Sequence, residues 1–489
     1  MDKIESRHIN AFRRYLDGPV GQALSADKTI GHVPKQMAAS LTRLLARSNS
    51  ANAQYADMRA SARVLLDAKG AFTSSAGHNL CKRLHDQLDA MPEDNNALDA
   101  LLIEALTLLR TEKGVGAETA YKNLVQQDIA RTTALEQAYD ELLRAPGIAA
   151  ASQPGDTLTT EQIGRLLGEL KARCDEPDDL QVVATNIVVG GYSKLTVFVS
   201  LRNNRVLPSE IVVRFDRPES PQDTTVASEY PLLRALYARG VKVPRPLYID
   251  NEGIILGAPL IIVAREPGQI VADPHKFHEP GPNHKLAISM AQDLAALHTV
   301  PLEALPASLP GRAQSNHALA IEDLKSLREV WTATASKSTI VEAAFHWLEA
   351  NIEHVGEHKS LVHGDFRFNN ILVEDSSVAC ILDWELASVR NPAFDLGYAY
   401  HHVVQLAPWN VFIAAYEAAG APCPPDVTIN FFALRTELFA VVYLTKLEAG
   451  FAAGAFNNID LIYAGTHVRQ HNLYLLAKRL AAVTHGETM

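Results

Sequence analysis

Leu361-Val-His-Gly-Asp-Phe-Arg-Phe-Asn-Asn-Ile-Leu372, and after a short gap Ala379-Cys-Ile-Leu-Asp-Trp-Glu385, set carboxylates and an amide at fixed intervals. Asn370 follows Asp365 by five positions, which lets a tight loop turn both side chains toward one point. Asp383 comes thirteen positions later, at the end of the apolar run Val378 to Leu382. A buried strand rarely ends in a charge without a reason, because an uncompensated buried carboxylate is costly. A carboxylate, an amide oxygen and a second carboxylate meeting at a strand end are the donors that a hard cation such as Mg2+ takes.

Outward from this segment, the flanking composition gives the architecture. Between Gln181 and Arg214 lie Val182, Val183, Ile187, Val188, Val189, Val197, Val199, Val206, Ile211, Val212 and Val213, with turn signals at Gly190-Gly191 and Asn203-Asn204. β-branched runs separated by such turns predict an antiparallel meander of three strands. A helix fits 225–239, and further strands fit 247–250 and 260–263. After about residue 283 the pattern is helical, except for the strand-rich 361–384. Upstream, residues 1–150 read as a nearly all-helical bundle of four to six helices, rich in Leu, Ala, Arg, Gln and Glu. The Pro- and Gly-bearing stretch 145–155 marks a boundary, and Thr159 with Gln162 fits a capping box at the start of the next helix. The expected fold is α+β: a small antiparallel sheet lobe (158–268) and a larger helical lobe (269–489), preceded by the all-α bundle.

His-Gly-Asp-x-x-x-x-Asn followed by Asp-Trp-Glu resembles the aminoglycoside phosphotransferase and choline kinase branch of the protein-kinase-like fold. The resemblance covers about residues 179–479, and it implies an ATP- and Mg2+-dependent kinase acting on a hydroxyl group. Asp365 would orient the attacking hydroxyl, with Arg367 beside it as a bidentate contact to the transferred phosphoryl group. Asn370 and Asp383 would hold Mg2+. His363 would support the loop, and Asp395 would brace it. Gly190-Gly191-Tyr192-Ser193-Lys194-Leu195-Thr196 is similar to the family's Gly-x-Ser-Asn-x-Thr loop, so Gly190, Gly191 and Ser193 become candidate phosphate contacts. Lys194 stands where Asn is common; with Tyr192 it reads as turn surface. Arg214 stands where the fold normally places a lysine over the ATP phosphates, and Glu229 resembles its helix partner. Ala264 and Glu266, in Val263-Ala-Arg-Glu266, resemble the hinge whose backbone bonds adenine. His363-Gly-Asp-Phe-Arg367 also resembles the branch fused to, or encoded beside, acyl-CoA dehydrogenases, whose members phosphorylate 4-hydroxyacyl-CoA.

Residue counts exclude several classes. The chain has 489 residues, 47% hydrophobic and 21% charged, which rules out a disordered or collagen-like protein. A net charge of −11 argues against a nucleic-acid partner spread over the surface. The four cysteines form no CxxC pair, which argues against structural zinc and fits a reducing compartment. The first residues carry charges with no apolar run before them, and 431–456 is broken by Arg435, Glu437, Lys446 and Glu448. A cytoplasmic protein with no membrane-spanning segment is expected. Residues 401–480 hold few acids, Glu417, Asp426, Glu437, Glu448 and Asp460, whereas an amino sugar or choline calls for an acidic cluster. An apolar alcohol or acyl-CoA is therefore the favoured acceptor, over an aminoglycoside or choline, and over a pseudokinase that binds without turnover. His298 and the pair His401-His402 read as packed histidines; adjacent helix positions diverge by about 100°, too far for one shared metal. The N-terminal bundle reads as a docking or homo-oligomerisation module.

Overall fold

The structure is a computed structural model that describes residues 55–89, 95–143, 158–188, 194–216, 225–271, 282–455 and 464–485. Gly190, Gly191, Tyr192 and Ser193 lie outside these residues, as does the expected linker at 145–155. By internal contact the chain forms two compact units. One comprises 154–319 and 353–432, the other 1–153, 320–352 and 433–488.

The first unit is built on a five-stranded antiparallel sheet of order β1-β2-β3-β5-β4. Its strands are β1 (Gln181–Val188), β2 (Lys194–Arg202), β3 (Glu210–Asp216), β4 (Pro246–Asp250) and β5 (Leu260–Ala264). Period-two alternation sends Val197, Val199 and Leu201 of β2, with Ile211 and Val213 of β3, into one apolar cluster. Leu166 and Leu170 of α5 (Thr160–Arg173) close that cluster. The expected capping box opens α5: Gln162 N donates to Thr159 Oγ1 (3.2 Å), and Thr159 N donates to Gln162 Oε1 (2.9 Å). α6 (Val226–Tyr237) packs on β3, β4 and β5 and reaches the turn at Trp384–Leu386. The helical part contributes α7 (His284–His298), α10 (Ala393–Val403) and α11 (Trp409–Ala418). Short strands supply the rest: β6 (Gln269–Ile270), β8 (Ile371–Glu374) and β9 (Ser377–Ile381) form one sheet, and β7 (Ser360–Val362) pairs with β10 (Ser388–Arg390).

The second unit is helical. Its N-terminal helices are α1 (55–67), α2 (Ser75–Asp89), α3 (Asn95–Leu109) and α4 (Val115–Leu143). They do not close a bundle by themselves: α3 and α4 both pack on α9 (Thr339–Ala350), and α4 also packs on α13 (Arg469–Thr484). Grouping by contact has no division at 269 and places 320–352 and 433–488 with the N-terminal helices. The two remaining helices are α8 (Asn316–Ala333) and α12 (Asp426–Ala453). Among the described residues, α12 alone is long and apolar enough to cross a bilayer, yet 67% of its most apolar window is buried inside the fold, as in a core helix. Phe431 and Phe432 are core residues, and the Phe439 and Tyr443 rings lie 4.6 Å apart, tilted by 38°.

Candidate active site

β7 leads directly into His363-Gly364-Asp365. Gly364 has φ +86, and a Cβ there would lie 2.4 Å from the Leu386 carbonyl oxygen, so only glycine fits the turn. The fully buried Asp395 carboxylate accepts from both loop amides, His363 N–H (2.7 Å) and Gly364 N–H (2.8 Å). The same carboxylate takes the Nε2–H of His298 at 3.1 Å, which leaves Nδ1 of a neutral ring to accept from the Tyr416 hydroxyl at 2.7 Å. Burial raises the Tyr416 pKa, so the hydroxyl keeps its proton for that bond. Asp365 is buried as well; its Oδ2 accepts from Asn370 Nδ2 (2.8 Å), and its Oδ1 lies 3.0 Å from Arg367 Nε. Asn370 Nδ2 also donates to the Asp365 carbonyl (2.9 Å), so both its hydrogens are used and its Oδ1 takes no part in these bonds.

Two contacts tie this loop to Leu382, between β9 and Asp383. His363 donates from Nε2 to the Leu382 carbonyl (2.8 Å), while its Nδ1 accepts from Asp365 N–H (3.2 Å), roles that the Nε2–H tautomer fills together. Leu382 N–H donates to the Asn370 carbonyl (2.7 Å). Asp383 itself sits at φ +65, a left-handed conformation that costs a non-glycine residue about 1–3 kcal/mol. Its Oδ1 receives Arg214 Nη2 at 2.8 Å, and Arg214 Nη1 reaches Glu229 Oε2 at 2.9 Å. One guanidinium therefore joins β3, α6 and the loop after β9.

The neighbourhood of Arg214 is crowded with acid. Glu229, Asp383 and Glu385 present carboxylate oxygens within 4.8 Å of one another. Burial and then these like charges, working against Arg214, push Glu229 up to about 7. The same carboxylates hold the Arg214 pKa above its ordinary value despite burial. Glu229 Oε1 is buried with no hydrogen-bond partner. An all-oxygen donor set with an unused buried oxygen fits a hard divalent cation.

The expected site residues thus fall into two linked groups, Asp365, Arg367 and Asn370 in one and Arg214, Glu229 and Asp383 in the other. Ala264 and Glu266 stand apart. In the β3–β5 register Arg214 faces Ile261 and Ile211 faces Ala264, which sets Ala264 about 10 Å along the strand from Arg214. Ala264 N–H is bonded to the Arg245 carbonyl, and Glu266 Oε1 accepts from Arg245 N–H, both at 2.9 Å. Lys194 corrects the expectation of a surface turn: it is buried, with its ammonium 2.7 Å from Asp216 Oδ1 and 3.5 Å from Glu385 Oε2. Glu385 and Asp216 also had no assigned role. Their signal was the acid after Asp383-Trp384 and the acid two residues beyond Arg214, on the same face of β3.

A small antiparallel sheet, a helix whose glutamate pairs with a strand cation, and an Asp–Asn–Asp set on loops below define the protein-kinase-like phosphotransferase fold. Residues 185–428 match the model of the phosphotransferase enzyme family, and this domain belongs to that family. A crystal structure from Ralstonia eutropha, described provisionally as an aminoglycoside phosphotransferase, superimposes with a TM-score of 0.52 at 18% identity, over 65% of this chain and 98% of that one. The acyl-CoA dehydrogenase family member 11 of Gallus gallus is 29% identical over 185 residues, 37% of this chain and 23% of the relative. The family member 10 of Mus musculus is 28% identical over 182 residues, 37% of this chain and 17% of the relative. The chain thus spans less than a quarter of the length of these relatives.

Proposed function

We propose that this chain is an ATP- and Mg2+-dependent phosphotransferase that phosphorylates a hydroxyl group of a small molecule, with a hydroxyacyl-CoA or another apolar alcohol as acceptor. The observation that carries this reading is the tie between the two halves of the site: His363 and Asn370 hold the backbone of Leu382, so the Asp365 loop and Asp383 are positioned as one piece. In that arrangement Asp365 orients the acceptor hydroxyl and takes its proton as the bond to phosphorus forms. Asn370 keeps the Asp365 carboxylate in place by its amide hydrogens, and its Oδ1 is a donor for a divalent ion together with Asp383. Such an ion would neutralise charge on the phosphate oxygens. Arg367 is assigned to the transferred group, and Arg214 to the remaining phosphates. The spacing of about 10 Å between Arg214 and Ala264 suits a phosphate tail at one end and a purine at the other. Gly190, Gly191 and Ser193, outside the described residues, remain the expected phosphate contacts.

The acceptor rests on different support. The relatives that match this chain bear acyl-CoA dehydrogenase names, which favours an acyl-CoA thioester carrying a hydroxyl. The test is ADP release by the full chain with MgATP against 4-hydroxyacyl-CoAs, simple alcohols, aminoglycosides and choline. Turnover confined to the hydroxyacyl-CoAs or alcohols is expected. Turnover with an aminoglycoside or choline would move the acceptor assignment. MgATP binding without any turnover would point to a binding module, and no binding at all would remove the reading.

A further inference from the structure

Lys194 is a buried cation with a double attachment. It opens β2 directly across from Asp216, the last residue of β3. Its side chain is 3% exposed, and its ammonium contacts Asp216 at 2.7 Å and Glu385 at 3.5 Å. Asp216 has a structural task of its own, since its Oδ1 also accepts the Val226 N–H at the start of α6 (3.0 Å). That task explains the Lys194–Asp216 pair and leaves Glu385 unexplained. Burying a lysine costs several kcal/mol, and a pair this far inside the protein persists only if its partners satisfy it. The sheet face already carries Arg214 across Glu229 and Asp383. Arg214 and Lys194 together therefore face four carboxylates, Glu229, Asp383, Glu385 and Asp216. Lys194 keeps one anchor, Asp216, outside the Glu229–Asp383–Glu385 cluster, and shares the other, Glu385, with it.

We propose that Lys194 is a nucleotide-positioning residue that competes with the divalent ion for Glu385: it guards that carboxylate while the site is without nucleotide, and gives it up to meet the phosphate tail. This rests on the nucleotide reading given above, and couples metal and nucleotide binding through one side chain. Lys194 stays tethered by Asp216 in both states, so only the end of a flexible four-carbon stem has to move. A cation that must leave a carboxylate before the ion can take it makes the ion bind weakly alone and well with nucleotide.

The test uses the full chain and Mn2+ as the probe, read by electron paramagnetic resonance of the free ion. In Lys194→Met, Mn2+ affinity without nucleotide should rise about fivefold or more, and ATP affinity in the presence of Mn2+ should fall about tenfold, the range of an ordinary coupling between sites. Lys194→Arg should keep the wild-type pattern. Unchanged affinities in Lys194→Met, or a parallel loss of both, would overturn the proposal. Should Lys194→Met fail to fold, the wild-type protein still decides the matter by reductive methylation followed by mass spectrometry. Lys194 should label faster with Mn2+ alone and slower with Mn2+ and ATP together; a rate indifferent to Mn2+ would overturn the proposal. If wild-type protein binds no ATP, the nucleotide reading fails by itself, while the Mn2+-dependent labelling still tests the competition for Glu385.

Discussion

At the scale of single residues, the candidate site is held by atoms that never touch a substrate. Gly364 allows the chain to pass under Leu386, and Asp395 fixes the loop amides on either side of that turn. Gly364→Ala should therefore cost at least about 2 kcal/mol, from the positive φ and the contact with a backbone carbonyl that cannot give way, and equilibrium urea unfolding would read it. A variant as stable as wild type would mean that the turn relaxes. Asp365→Asn is nearly isosteric and keeps an oxygen for Asn370, so it should fold normally and bind MgATP with little change, while phosphoryl transfer falls by about three orders of magnitude or more. Retained transfer would remove Asp365 from its role. The sequence already carried these residues, because a five-residue and a thirteen-residue spacing survive any uncertainty about the surrounding chain. It did not carry Lys194. Alternation along β2 separates Lys194 from the core face of Val197, Val199 and Leu201, but pairing it with Asp216 requires the β2–β3 register. That register is set by the turn through Asn203 at φ +63, which sequence alone does not resolve to one residue.

At the scale of elements, α12 shows what apolar composition hides. Its aromatic residues Phe431, Phe432, Phe439 and Tyr443 read more readily as core than as a substrate platform, and Phe431, Phe432, Leu434, Leu438, Val441 and Val442 are all buried. The helix also carries Glu437, which burial pushes up to about 7 while Arg479 and His471 pull the other way. Helical periodicity gave no warning, since a glutamate within an apolar stretch looks the same whether it faces water or the interior. The folded state thus holds a proton on Glu437 that the unfolded chain has released, so this group lowers stability as pH rises from about 4.5 to about 7 and continues to cost above that. Glu437→Gln keeps the shape without the charge. It should raise stability at pH 8 by about 1–3 kcal/mol and do nothing at pH 4, as measured by chemical denaturation at both values. His346 on α9 opposes it: burial lowers its pKa to about 4, so its contribution grows as pH rises from about 4 to about 6.5. A gain for Glu437→Gln of equal size at both pH values would show that packing, not ionisation, is responsible.

At the scale of the molecule, the N-terminal helices pose the question that their sequence answered least well. Leu- and Ala-rich periodicity identifies α2, α3 and α4 as helices but says nothing about which surface buries their apolar stripes, because helices of similar composition are interchangeable partners on paper. The structure packs α3 and α4 on α9, and α4 also on α13, helices that come much later in the chain. Leu98, Leu102 and Leu106 on α3 are buried in this unit, as are Phe345 and Leu348 on α9 and Leu476 and Leu480 on α13. Each such side chain is worth about 1.5–3 kcal/mol when taken out of water, and a marginally stable protein cannot lose many of them. A chain that starts at residue 158 would keep α9 and α13 but lose α3 and α4, exposing the apolar faces that those two helices cover. It should bind a hydrophobic dye, associate on size-exclusion chromatography, and unfold at least about 5 °C below the full chain by calorimetry. The capping box of Thr159 and Gln162 survives this cut, so loss of stability could not be assigned to a damaged α5. If the shortened chain instead stays monomeric with its unfolding temperature unchanged, the N-terminal helices are an appended module and the shared core with α9 and α13 contributes nothing to folding.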